Sequence, residues 1–149
     1  MTRRGDILRW LTAACLILVI GLAACSSGVQ VLSGADREAV LAYAEPLTDN
    51  LLAGFNAGDY PAFSRDFSAK MREALNESGF ATTRAGIVDK IGKYVSRDVS
   101  RVVKQGGFIV VIYSASFEQE DGVTVRVVFE PAGEHRITGL WFDSPRLRQ

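Results

Sequence analysis

Residues 108–130 read FIVVIYSASFEQEDGVTVRVVFE. Apolar side chains recur every second position on both sides of a short charged stretch that ends in glycine, the pattern of a β-hairpin. If Glu120 and Asp121 form a type I turn with Gly122 in the left-handed region as a bulge, Gln119 faces Val123 and odd residues pair with odd. One face then collects Ile109, Val111, Tyr113, Ala115, Phe117, Val123, Val125, Val127 and Phe129. The other carries Ser114, Ser116, Thr124, Arg126 and Glu130 among Phe108, Val110, Ile112 and Val128, as a half-solvated sheet does. A slip by one residue would push Arg126 and Glu130 into the core, so burial supports this parity.

Two more extended runs flank the hairpin, Lys93–Lys104 before it and His135–Asp143 after it, set off by QGG and PAGE turns. In the last run Ile137, Leu140 and Phe142 share a face only if Thr138-Gly139 bulges. Upstream of Gly92 the period is helical. Val40, Ala44, Leu47, Leu51 and Phe55 fall at steps of three and four on one helix face. Asp36 is the expected N-cap, and Pro46 is expected to kink or break this helix near Glu45. Gly58 stops it, Asp59 caps a short helix with Pro61 in its first turn, Ser68 caps AKMREALNE, and Thr83 caps RAGIVDKI. Helices first and a meander after predict an α+β fold, with N-terminal helices packed on a curved four-stranded antiparallel sheet.

The chain opens MTRRGDILR, followed by the uncharged run Trp10–Ala24. A basic segment and an apolar segment too short to span a bilayer read as a signal peptide. Leu22-Ala23-Ala24-Cys25 resembles the lipobox of bacterial lipoproteins, which predicts cleavage before Cys25 and a diacylglyceryl thioether, with acyl chains such as palmitate, on its sulfur. Ser26, Ser27 and Gly28 supply a small, flexible exit. The competing reading is an uncleaved signal anchor with Cys25 a plain thiol. A twin-arginine export signal fits less well, because Asp6 stands where that motif needs an apolar residue. The expected organisation is a signal peptide over 1–24, a lipid-anchored tether over 25–34 and one domain over 35–149, placed in the bacterial cell envelope on the extracytoplasmic side. Cys15 would leave with the signal peptide, so no disulfide framework is expected. Basic and acidic residues balance at 17 each, and losing Arg3, Arg4, Arg9 and Asp6 leaves the rest near neutral. That argues against nucleic-acid binding and against a polybasic patch.

FNAGDYPAFSRDFSAKM at 55–71, Gly92-Lys93-Tyr94 and ITGLWF at 137–142 resemble the small NTF2-like domains of bacterial lipoproteins and secreted proteins known as DUF3887, over roughly Asp36 to Pro145. The resemblance implies a cone-shaped, cystatin-like domain whose helices lie in the concavity of a bent sheet around a cavity. Its superfamily holds ketosteroid isomerase and scytalone dehydratase beside many non-catalytic binders, so the fold alone assigns no activity.

Isomerase chemistry needs a carboxylate base and an oxyanion donor in an apolar pocket, and Asp66 and Tyr113 are the residues available. Asp59 is better explained as a cap, and His135 falls at a hairpin end as a solvated turn residue. No Cys, His or carboxylate cluster has metal-ligand spacing, and no cofactor is expected. Tyr60, Phe63, Phe67, Tyr113, Phe129 and Trp141 either line an apolar pocket or serve as core, the first demand on aromatics in a domain of this size. If a pocket exists, the hydroxyls of Tyr60 and Tyr113 are its polar handles. The expectation is a lipid-anchored, non-enzymatic NTF2-like domain binding a small apolar ligand or a protein. The alternatives are an isomerase- or dehydratase-like enzyme in the same cone, and a structural homodimer module using the outer sheet face at Phe108, Val110 and Ile112.

Overall fold

In the hairpin at 108–130 odd residues pair with odd: Ile109 lies opposite Phe129, Val111 opposite Val127, Tyr113 opposite Val125 and Ala115 opposite Val123. The structure, a computed structural model, describes residues 28–149; the signal peptide and lipobox of the sequence reading lie outside the described residues. The elements are β1 (Gln30–Val31), α1 (Gly34–Ala57), α2 (Tyr60–Phe63), α3 (Ala69–Ala74), α4 (Glu77–Ile91), β2 (Tyr94–Gln105), β3 (Phe108–Phe117), β4 (Glu120–Phe129) and β5 (Ile137–Asp143). The strands form one antiparallel sheet in the order β1-β2-β3-β4-β5.

The face is as read, but the register is not. Glu118 and Gln119 form the turn, Phe117 lies opposite Glu120, and Gly122 (φ 72°) sits at an irregularity inside β4. From Ile109–Phe129 to Ala115–Val123 the shift from the expected pairing is by an even number of residues, which leaves those side chains on their own faces, so burial could not detect it. Contacts outside the hairpin set the turn. Glu118 N–H donates to Lys93 O and Gln119 N–H to Ile91 O, both at 2.9 Å, and the Glu118 carboxylate accepts from Lys93 N–H at 2.8 Å. The β2–β3 turn places Gly106 (φ 57°) and Gly107 (φ 83°) between paired Gln105 and Phe108, the two left-handed residues of a type I′ turn. The bulge expected at Thr138 is present, with Phe129 opposite Ile137 and Val128 opposite Gly139.

The helices cover the odd face. Val40, Ala44, Leu51, Leu52 and Phe55 of α1, with Phe63, Phe67, Phe80 and Ile87, pack on Val111, Tyr113, Val125, Val127 and Phe129 in one core. Each of the large apolar groups contributes about 1.5–3 kcal/mol by burial.

Four expectations need correction. α1 runs through Pro46 without ending, because apolar residues on both sides of it, Val40 and Ala44 before and Leu51 and Leu52 after, are buried in the same core. Its N-cap is Ser33, and Asp36 lies in the first turn, where an acid favours the helix dipole. α4 is capped seven residues before Thr83, by Asn76, whose side chain accepts from Gly79 N–H at 3.0 Å. The sheet has five strands, because Gln30 and Val31, in the stretch read as tether, pair with Lys104 and Val103. The outer face also differs from expectation. Val110 is buried with Val103 and Val128 in a small second cluster flanked by Ile112, and only Phe108 of the predicted trio is well exposed. Among the described residues no helix is long and apolar enough to cross a membrane.

Candidate functional site

The stretch 54–68 is a junction whose residues join α1 to three other parts of the fold. Gly54 lets α2 cross α1 so closely that a Cβ there would lie 2.3 Å from Phe63 N. The Asn56 amide donates to Tyr94 O at 2.8 Å and accepts from Tyr94 N–H at 3.0 Å, completing the backbone at the start of β2 as a strand neighbour would. Gly58 (φ 71°) ends α1, and Asp59 accepts from Ala62 N–H at 3.0 Å as the cap of α2. Ser68 caps α3 by accepting from Met71 N–H at 3.2 Å. Phe67 lies alongside Ile137 in an isolated parallel bridge, where Ser68 N–H donates to Ile137 O and Ile137 N–H to Asp66 O.

A second polar assembly ties α1 to the sheet. Glu45 and Asp49, one turn apart on α1, accept from the Arg97 guanidinium at 3.2 and 2.7 Å, and Arg97 also meets the Tyr94 hydroxyl at 3.2 Å. Its side chain is only 6% exposed and lies 4.9 Å above the Tyr113 ring. Burial acts to lower the Arg97 pKa, but the bond to Asp49, the bond to Tyr94 and the charge of Glu45 outweigh it and hold it above its usual value. The Tyr113 hydroxyl shares a hydrogen bond with Thr48 Oγ1 at 3.2 Å. Desolvation raises its pKa above the usual tyrosine value, against the lowering effect of Thr48. Thr48 and Arg97 were not singled out in the sequence; steps of three and four in Glu45, Thr48 and Asp49 were the only local signal.

Between α4 and β5 an open groove of about 420 Å³ exposes the edge of the core. Phe55, Phe63, Phe80, Ile87, Leu140 and Phe142 supply its apolar lining, and Thr83, Arg84 and Lys90 its polar groups, with no carboxylate among the lining residues. Arg84 donates from Nε to Phe55 O and from Nη2 to Asn56 O at 3.0 Å, so it covers the carbonyl end of α1. Lys90 Nζ donates to Leu147 O at 3.3 Å. Both cations keep further N–H groups. Gly86 lines the groove with open space where a Cβ would stand.

The aromatic candidates do not converge on this groove as a set. Phe63 forms part of its wall, its ring tilted by 32° against Phe80 with centroids 4.4 Å apart. Trp141 lies at its border, but its register opposite Arg126 turns the indole to the outer face, where it is 54% exposed. Phe67 and Phe129 are core. The Tyr60 hydroxyl donates to Leu75 O at 2.9 Å, and Tyr113 is buried against Thr48. Asp66 accepts from Asn50 at 3.3 Å, two residues along α1 from Thr48 and so on a different side of that helix; the carboxylate and the phenol are not brought together. His135 is half-buried, stacked on Tyr43 with ring centroids 3.8 Å apart. No group of three or more potential metal ligands exists among the described residues.

Comparison with curated proteins gave no match. Among solved structures, the chain is similar to an NTF2-like protein of unknown function from Cytophaga hutchinsonii, at 18% identity over 70% of this chain and 94% of that one, with a TM-score of 0.38. Residues 48–140, more than half of the chain, match the family described as "Protein of unknown function (DUF3887)". The span starts at Thr48, within the helix that carries the polar assembly, and takes in the junction, the groove helix and most of the sheet. The chain belongs to the DUF3887 family.

Proposed function

We propose that this chain is a lipid-anchored, extracytoplasmic binding domain without catalytic activity, and that the groove between α4 and β5 is its ligand seat. The groove itself carries this reading. It is apolar over most of its lining, within the size range of small-molecule sites, and its charged groups are cations. Such a lining suits an apolar molecule of drug size with an anionic or hydrogen-bond-accepting end directed at Arg84 and Lys90. The anchor rests on the basic start, the apolar run and Leu22-Ala23-Ala24-Cys25, which would fix the domain to the membrane through Cys25 and leave the groove in the extracytoplasmic space.

Native mass spectrometry of the full chain, purified in mild detergent from cells that express it, tests the seat. The expected spectrum has a second species, heavier than the bare chain by one small apolar molecule, which Gly86→Leu removes. Bare chain alone, even after incubation with excess medium-chain fatty acid, would overturn the proposal. The anchor is tested by metabolic labelling with a clickable fatty acid: the parent should carry label and Cys25→Ser should not, and label persisting on Cys25→Ser would contradict it.

A further inference from the structure

Among the described residues no helix covers the outer face of the sheet, and in register across it runs a single apolar row: Val31 on β1, Val103 on β2, Val110 on β3 and Val128 on β4, ending at Gly139 on β5. Trp141 closes the row. A Cβ on Gly139 would lie 2.5 Å from its ring, so the indole folds over the glycine, and the Arg126 guanidinium stands 5.4 Å from the same ring. Four strand spacings make the row roughly 19 Å long. Val103, Val110 and Val128 are buried, while Val31 is 58% exposed and Phe108, beside Val110 on the same face, 44%. The buried valines underlie this face, and the apolar groups it presents to a partner are the exposed Val31, Phe108 and Trp141.

The place where the chain enters the sheet identifies what it contacts. Val31 begins the row one residue into β1, and Cys25 precedes Gln30 by five residues, a separation that the chain can stretch to at most about 17 Å. An anchor at residue 25 therefore holds this edge of the sheet close to the lipid. We infer that the outer face docks on the bilayer surface, with Trp141 and Phe108 at headgroup depth, where amphipathic aromatics are favoured. The inference rests on the anchor proposed above. Arg101 and Arg126 face outward in the next row, opposite Ile112 and beside Trp141, where they suit anionic headgroups. Asp98 and Asp143 lie further along the same face, opposite Ser114 and Thr124, toward the end of the sheet away from Phe108.

Trp10 and Trp141 are the two tryptophans of the chain, so the full-length Trp10→Phe variant reports on Trp141 alone. The variant is reconstituted into phosphatidylcholine–phosphatidylglycerol vesicles with brominated acyl chains, and vesicle-bound protein is isolated by flotation before its emission is read. Docking predicts blue-shifted Trp141 emission quenched by at least half relative to unbrominated vesicles. Adding Val31→Ser and Phe108→Ser, both at exposed positions, should restore most of that emission while flotation and thermal unfolding stay unchanged. Floated protein whose Trp141 emits as in water and is not quenched would overturn the docking alone, and so would unquenched emission accompanied by cross-linking of two copies through this face. Protein that fails to float would overturn the anchor and the docking together.

Discussion

Gly54 and Gly86 are both helical glycines, and replacing each by alanine should move stability in opposite directions. Glycine-to-alanine exchange inside a helix favours the helix by about 0.8–1 kcal/mol through backbone entropy and surface covered. At Gly86 the new methyl meets nothing within 4 Å, so the gain should appear almost in full, at about 0.5–1 kcal/mol. At Gly54 the Cβ would stand 2.3 Å from Phe63 N, 2.6 Å from Phe63 Cα and 2.9 Å from Ala62 C. These are backbone atoms of α2, held by the Asp59 cap and by the burial of Phe63, so no side chain can rotate out of the way. Restoring an ordinary contact requires α2 to retreat by about 1 Å, a displacement that forfeits packing around Phe63. Overpacking costs about 1–3 kcal/mol, and against fixed backbone the upper part of that range, about 2–3 kcal/mol, applies; this outweighs the helical gain and leaves Gly54→Ala less stable by about 1–2 kcal/mol. Urea denaturation followed by far-UV circular dichroism would measure both variants against the parent. A Gly54→Ala protein as stable as the parent would mean that α2 does not cross α1 at this glycine.

Three further substitutions probe other parts of the fold. Asp59→Ala removes the cap of α2 and should cost about 0.5–2 kcal/mol in the same assay; no change would show that the cap is dispensable. Phe67→Ala empties a fully buried site between α2 and β5 and should cost about 3–5 kcal/mol, whereas a loss well under 2 kcal/mol would place Phe67 at an open site. Tyr113 makes alkaline stability pH-dependent. Its folded pKa is raised above the unfolded value of 10.0 by burial, so its contribution is fully present below pH 10 and is lost as the pH rises from there through the folded pKa. Tyr113→Phe should flatten the decline in melting temperature above pH 10, and an unaltered decline would assign it to other groups.

Those features whose cause lies within a few residues were legible in the sequence. The alternation at 109–117 and 123–129 identified the core face, and Gly58, Asp59 and Ser68 punctuate the chain as their own chemistry dictates. Features decided by distant contacts were not legible. Pro46 stays helical because the core holds both halves of α1, and the turn at Glu118-Gln119 is set by Ile91 and Lys93. Thr83 resembles a cap, yet Asn76 starts the helix earlier and buries Phe80. The Arg97 assembly joins residues about 50 positions apart, and the groove needs α4, β5 and Leu147 together; no local spacing announces either. Of the aromatic set, Phe63 lines the groove and Trp141 borders it; Phe80 lies before the helix expected from Thr83, and Arg84, Ile87 and Lys90 lie within that helix with no local pattern to single them out.

The groove is the central claim, and Gly86 gives the most direct access to it. Gly86→Leu adds a side chain in the groove at a position with no atom within 4 Å of the new Cβ, so it should fill the seat without unfolding the domain. Titration of the detergent-solubilised full chain with a fluorescent fatty acid, beside a urea melt of each protein, is the decisive measurement. The account predicts saturable binding to the parent at one molecule per chain, and at least tenfold weaker binding to a Gly86→Leu protein that is no less stable, about 1.4 kcal/mol of binding free energy. Equal affinity in parent and variant would contradict it.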